Sequence, residues 1–171
     1  MTLTASDLTG EQYHHTPADV DALHVLAEML PLCPIVVNIG ACFGTSTLAI
    51  LEARPDAFVF SIDIAVCPQE RENHMRALVP PGRCVRVLGA SQDVGRYWPA
   101  HSVDFVFVDG AHDYEGVRDD IHFWMPTVKP GGIIAFHDYG TPSLPHVARA
   151  IDEAFSAPPL MAVERIRVWR L

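Results

Sequence analysis

Two hydrophobic periods alternate along this chain, and their order predicts its architecture. Continuous apolar runs rich in β-branched and aromatic residues occupy residues 35–39, 57–62, 84–88, 103–108 and 133–136. Runs without polar alternation are what strands buried on both faces require. Between them the apolar residues fall at helical spacing. Thr16 can cap a first helix, with Pro17 at its first position, Asp19 in its first turn, and Val20, Leu23, Ala27 and Leu30 along its inner face. Pro31 and Pro34 stop it. Leu48, Ala49 and Leu51 form the apolar surface of a helix after the first strand, and a polar helical stretch runs from about Gln69 to Leu78. After Asp113, Val117, Ile121, Trp124 and Met125 recur at i, i+4, i+7 and i+8, which predicts an amphipathic helix that buries all four. Lys129, Pro130, Gly131 and Gly132 make a tight turn into the fifth strand, and Leu144, Val147, Ile151 and Phe155 mark a last helix. Residues 160–163 and 166–170 read as an antiparallel hairpin at one sheet edge. Strands alternating with helices imply an α/β fold, a doubly wound, mostly parallel sheet covered on both faces. Residues 1–15 have too little periodicity for an element and read as a mobile arm ahead of a lid or packing helix.

Composition narrows this. With 171 residues the chain is expected to form a single domain, residues 1–34 an N-terminal arm and helix and residues 35–171 the core. Hydrophobic residues make up 49% and charged residues 19%, a globular composition. The formal charge of −9 argues against nucleic acid, whose phosphates need a basic surface. No apolar run approaches the roughly 18 residues of a membrane span. Cys33, Cys42, Cys67 and Cys84 show no CxxC spacing and follow no cationic apolar leader, so the thiols are expected to be reduced and the protein cytoplasmic.

The candidate chemistry lies at strand ends. Ligands of an open parallel sheet bind beyond the carboxyl ends of its strands. Gly40 and Gly44 follow the first strand, Asp63 the second, Ser91 the third, Asp109 and His112 the fourth, and His137 and Asp138 the fifth. Glycines allow positive φ and close approach of a ligand, and the following helix turns its free N–H groups to the same place. Asp63 lies 23 residues beyond Gly40, where an acid can accept both hydroxyls of a ribose. NAD and S-adenosylmethionine both carry one. Pyrophosphate recognition wants G-x-G-x-x-G, whereas this chain has G-x-x-x-G, which favours S-adenosylmethionine.

Residues 36–46, 61–63, 103–110 and 129–132 together resemble the successive motifs of class I S-adenosylmethionine-dependent methyltransferases. The run from Asp109 to Tyr114, with His137, Asp138 and Tyr139, is similar to methyltransferase family 24, the small-molecule O-methyltransferases grouped with macrolide-sugar, aminocoumarin-sugar and cephalosporin-cluster enzymes. The resemblance implies a Rossmann-like seven-stranded sheet of order 3-2-1-4-5-7-6 with its last strand antiparallel. It implies that Asn38, Gly40, Ala41, Gly44 and Ser46 surround the methionine part of the cofactor, Asp63 and Ile64 the ribose, Ala90 and Ser91 the adenine, and that Asp109 also faces the cofactor. Two departures stand out. Asn38 replaces an acid that helps hold the cofactor's ammonium group. Relatives bind Mg²⁺ through an acid after strand four and an acidic pair after strand five, and here that pair is His137 and Asp138. A histidine corner suits Mn²⁺, Fe²⁺ or Zn²⁺ better than Mg²⁺, so a divalent metal on Asp109, His137 and Asp138 is an open expectation.

The expected reaction is in-line methyl transfer to a hydroxyl of a small molecule, with His112, His137 or Asp109 removing its proton. Two other readings compete: a methyltransferase-like binding module without catalysis, and an NAD-linked oxidoreductase. The acceptor pocket is expected from residues 1–30, the loop after Asp63, residues 110–114 and residues 139–146, with a homo-oligomer completing it as an open alternative.

Overall fold

The computed structural model describes residues 2–171. The helices are α1 (Pro17–Glu28), α2 (Thr45–Ala53), α3 (Pro68–Arg76), α4 (Ser91–Gly95), α5 (Tyr114–Trp124) and α6 (Pro145–Ala154). The strands are β1 (Ile35–Ile39), β2 (Phe58–Asp63), β3 (Cys84–Leu88), β4 (Val103–Val108), β5 (Val128–Phe136), β6 (Met161–Val163) and β7 (Ile166–Arg170). They form one seven-stranded sheet of order β3-β2-β1-β4-β5-β7-β6. Strands β1 to β5 pair in parallel, and β7 runs antiparallel to both β5 and β6. The order expected from the motifs is the order observed.

Period-two alternation sends the side chains of the central strands to two cores, whereas β3, at the sheet edge, leaves Val85, Arg86 and Leu88 exposed instead of burying its run on both faces. Val36, Phe105, Phe107, Ile133 and Ala135 pack against α1 and α2, while Val37, Val106, Ile134 and Phe136 pack against α5 and α6. Trp124 is fully enclosed on the second side, and its indole N–H donates to the Ser91 carbonyl at 3.1 Å. Burial of such a side chain stabilises by about 1.5–3 kcal/mol, provided its polar atom finds a partner. The Thr16 cap is formed as expected, its hydroxyl accepting from the Asp19 N–H while Asp19 accepts from the Thr16 N–H. Because β1 is flanked by β2 on one side and β4 on the other, the chain reverses direction of winding there, and a crevice opens at the carboxyl ends of β1 and β4.

Four local expectations need correction. Residues 2–15 are not a free arm: 3₁₀ turns at Ala5–Leu8 and Glu11–Tyr13 bring Ala5 and Leu8 into the core beside α2, and Ala5 N–H donates to Glu52. Met125 leaves the buried stripe of α5, because Pro126 ends the helix at Trp124 and a 3₁₀ turn carries Met125 outward to 37% exposure. Lys129 to Gly132 lie inside β5 rather than before it, and a register shift between Val103 and Phe105 absorbs them, with Gly131 at φ +82. Helix α3 stops at Arg76, two residues early, with Leu78 at φ +58 just past its end. Among the described residues no helix is long and apolar enough to cross a membrane.

Candidate functional site

Above the carboxyl ends of the strands lies a cavity of about 1010 Å³. One half is lined by the glycine loop and the ends of β2 and β3. The other is lined by the N-terminal turns, the loop after β4 and the segments after β5 and between β6 and β7.

In the first half, Gly40 has φ +86, and a Cβ there would overlap the Asp109 carbonyl oxygen. Its N–H donates to Ile62 at 2.9 Å and the Asp109 N–H donates to Ile39 at 2.9 Å, so three strand ends are tied at one point. Asp63 accepts from the Cys42 N–H at 3.0 Å and the Ala65 N–H at 2.9 Å. Each carboxylate oxygen keeps a lone pair for a further donor. Ile64, Ser91 and Gln92 complete this wall. Behind Ser91 sits Asp120, fully buried, which accepts from the Ser91 hydroxyl.

Not every expected cofactor contact reaches the cavity. Gly40, Asp63, Ile64, Ser91 and Asp109 line it, whereas Asn38, Ala41, Gly44, Ser46 and Ala90 stand behind its wall. Asn38 is fully buried; its Nδ2 donates to Thr47 Oγ1 and its Oδ1 accepts from Ser46 Oγ, both at 3.1 Å. An amide suits that position because it both donates and accepts, while a carboxylate there would carry an enclosed charge between two neutral hydroxyls.

The second half is built around His137. Its Nδ1 is 3.0 Å from Asp109 Oδ1 and 3.5 Å from Asp138 Oδ2, and its Nε2 is 3.3 Å from Asp19 Oδ2. The Asp109 contact is an aligned hydrogen bond; the Asp19 contact is an ion-pair approach off the hydrogen-bond line. Burial by itself would lower the His137 pKa, but the three carboxylates outweigh it and hold the imidazolium up to about 11. Burial likewise works against ionised Asp138 and Asp19. The close imidazole contacts of His112 and His137 with Asp138, and of His137 with Asp19 together with the Thr16 N–H, win and keep both well below the usual carboxylate range. Arg165 closes the cage, donating to Asp138 Oδ1 at 3.0 Å and Asp19 Oδ2 at 3.1 Å. His15 stacks on His137 with ring centroids 5.0 Å apart, and burial lowers its pKa. His112 Nε2 lies 3.2 Å from Asp138 Oδ2, a carboxylate contact that raises its pKa, with the ring still 45% exposed toward the cavity.

Asp109, His112 and Asp138 therefore face the cavity, while His137 supports them from behind. Asp109, His137 and Asp138 also offer ligand atoms within 4.8 Å of one another. Sequence reasoning missed His15, Asp19, Arg165 and Gln92. Asp19 carries a signal that points elsewhere, since the oxygen that meets His137 is the one that caps α1. Arg165 sits in the β6–β7 turn, 27 residues from Asp138, and no periodicity joins them.

A family model described as a methyltransferase domain matches residues 37–139. Among solved structures, the O-methyltransferase NovP superposes with a TM-score of 0.74 at 18% identity, covering 91% of this chain and 80% of NovP. An O-methyltransferase from Bacillus cereus in complex with SAH gives 0.72 at 16% identity, covering 98% and 86%. CalS11, a TDP-rhamnose 3'-O-methyltransferase of calicheamicin biosynthesis, gives 0.65 at 17% identity, covering 89% and 77%. At these identities the likeness is one of fold. A curated protein of Sinorhizobium fredii, y4gI, is 43% identical over 37 residues, and the chain spans 4% of its length.

Proposed function

The chain belongs to methyltransferase family 24, a methyltransferase domain, and from that premise we propose that it transfers the methyl group of S-adenosylmethionine to a hydroxyl of a small molecule. The observation that carries this reading is that Asp63, fixed by two backbone amides at the glycine loop, and the His112–Asp138 pair open into one cavity.

The residues fit the cofactor. Gly40 lets the β1 turn close against the Asp109 backbone at the floor of the crevice, Asp63 has lone pairs for the ribose hydroxyls, and Ser91 and Gln92 line the wall assigned to the adenine in this reading. S-adenosylmethionine, when bound, supplies a methyl group already activated by its sulfonium. What remains for the protein is alignment and removal of the acceptor's proton. His112 suits the second task. With Asp138 accepting from its Nε2–H, neutral His112 carries its lone pair on Nδ1, and the carboxylate stabilises the imidazolium that forms. His137 holds Asp109 and Asp138 in place and, being protonated, has no lone pair to offer.

That same geometry bears on the metal. His137 Nδ1 faces the place where Asp109 and Asp138 converge, and the three side chains offer ligand atoms within 4.8 Å of one another, a set that would take a divalent ion through two carboxylates and one imidazole. No step is assigned to an ion. The apolar stretches of wall, and a formal charge of −9, favour a small-molecule acceptor over nucleic acid.

Methyl transfer measured with and without chelator, in native protein and in His112→Ala, tests the reading. A loss in kcat of about 10²–10⁴-fold in the variant is expected, and a loss on adding chelator to native protein would assign an ion to Asp109, His137 and Asp138. Full activity in His112→Ala at matched cofactor affinity would remove it from the mechanism. Calorimetry that shows heat with NAD but none with S-adenosylmethionine would overturn the cofactor assignment.

A further inference from the structure

The face of the glycine loop turned away from the cavity carries a second cluster of reactive side chains. Glu70 and His74 stand one turn apart on α3, and Cys84 opens β3. A carboxylate oxygen of Glu70, a ring nitrogen of His74 and the Cys84 sulfur lie within 4.8 Å of one another. Glu70 is 5% exposed, His74 is 8% exposed, and Cys84 is half-buried. Methyl transfer uses none of them, and three ionisable groups are costly to enclose together without a common partner.

Two further observations point to a ligand. His74 Nε2 is fully enclosed and has no hydrogen-bond partner among the described residues. Gly44, at φ +84, leaves the room it occupies: a Cβ there would lie 2.6 Å from His74 Nε2 and 3.2 Å from Glu70 Cγ. Glu70 Oε1 also terminates a directed chain of hydrogen bonds. Asn38 Nδ2 donates to Thr47 Oγ1 at 3.1 Å, Thr47 to Ser61 Oγ at 3.4 Å, and Ser61 to Glu70 Oε1 at 2.8 Å. Every hydroxyl proton in the chain is aimed at Glu70, which fixes the carboxylate as the acceptor. Among the described residues its second oxygen has only Arg86, 3.7 Å away and beyond hydrogen-bond length.

We propose that Glu70, His74 and Cys84 bind a divalent transition-metal ion of the zinc class, at a structural site separate from the methyl-transfer centre. Imidazole, thiolate and carboxylate are zinc ligands, and the sulfur excludes the hard ions Mg²⁺ and Ca²⁺. Bonds of about 2.0–2.3 Å set tetrahedral ligands roughly 3.5 Å apart, so the cluster closes by about 1 Å around an ion. Half-buried Cys84 is the arm that moves and the route by which the ion enters, with a water as fourth ligand. Ser61 is the outer donor that orients the carboxylate. Helix α3 already holds the glycine loop through Asn73 Nδ2, which donates to the Phe43 carbonyl at 3.0 Å. An ion joining α3 to β3 clamps that loop from outside, and the site stands whether or not the methyl-transfer reading does.

Cobalt(II) is the probe, added to the full chain after purification in chelator and reductant. A thiolate ligand gives tetrahedral cobalt an intense sulfur-to-metal charge-transfer band that oxygen and nitrogen ligands lack. One equivalent of cobalt should bind with that band, and zinc should bleach it. Cys84→Ser should abolish the band and weaken zinc binding by more than the roughly 10–100-fold that loss of an outer donor costs. Its circular dichroism without metal serves as the folding reference. Cys42→Ser and Asp109→Asn should leave the band intact. No charge-transfer band at saturating cobalt, a band that survives Cys84→Ser, or one lost in Cys42→Ser instead, would each overturn the proposal.

Discussion

At the scale of single residues, two positions isolate backbone geometry from space. Gly40 and Gly131 have nearly equal φ, +86 and +82, yet a Cβ at Gly40 meets the backbone of Asp109, while one at Gly131 meets nothing within 4 Å among the described residues. Gly131→Ala should therefore cost only the left-handed penalty of about 1–2 kcal/mol, and Gly40→Ala upward of about 3 kcal/mol once steric overlap is added. Urea denaturation of both variants measures the difference; equal losses would mean the β1–β4 junction yields freely. Asp120 makes a pH prediction. Burial raises its pKa to about 6, although the Ser91 hydroxyl opposes this, and its Oδ2 has no partner among the described residues. The unfolded chain loses this proton near 3.8. Between the two values the folded state holds the extra proton, so stability falls as pH rises through that window, by about 1.4 kcal/mol per unit. Asp120→Asn should gain on the native protein by on the order of 2–3 kcal/mol between about pH 4 and pH 8. A constant gap across that range would show that Asp120 titrates normally.

Among elements, the N-terminal turns differ most from expectation. Their polar sequence hides two anchors, Ala5 and Leu8, buried against α2, and the turns then carry His15 onto His137 and Thr16 into its cap. If that contact is part of the fold, Leu8→Ala costs about 2–5 kcal/mol. A loss within about 0.5 kcal/mol, the usual surface value, would restore the picture of a loose arm. The apolar residues of this stretch, Met1, Leu3, Ala5, Leu8 and Tyr13, are too scattered over fifteen positions to set a helical or strand period, which is why the segment read as an arm. Strands β1 to β4 had the opposite character: long apolar runs with glycine or an acid at their ends, legible to within a residue. Only the tertiary course of the chain, with Pro126 breaking α5 and the bulge in β5 taking up Gly131, set the boundaries that the pattern missed.

Over the whole molecule, the sheet order brings the site together, and ligand binding should stabilise the fold as a unit. S-adenosylmethionine at a hundredfold excess over its Kd should add about 2.7 kcal/mol, which for a chain of this size raises Tm by roughly 5–10 °C. Asp63→Ala should abolish that shift, and NAD should produce none; a shift unaltered in Asp63→Ala would place the cofactor elsewhere. The sequence by itself determined the fold class and the strand-end positions of Gly40, Asp63, Ser91, Asp109, His112, His137 and Asp138, while the strand order came only as what the family resemblance implies. These are local properties, because hydrophobic period and turn residues act over a few neighbours. Tertiary structure decided which of them face the cavity. It turned Asn38 inward to Ser46 and Thr47, and it buried His137 among Asp19, Asp109 and Asp138 beneath His15 and Arg165. His15, Asp19 and Arg165 come from the two ends of the chain while Asp109 and Asp138 follow β4 and β5, and the charge state of His137 depends on all of them at once, which no stretch of sequence contains.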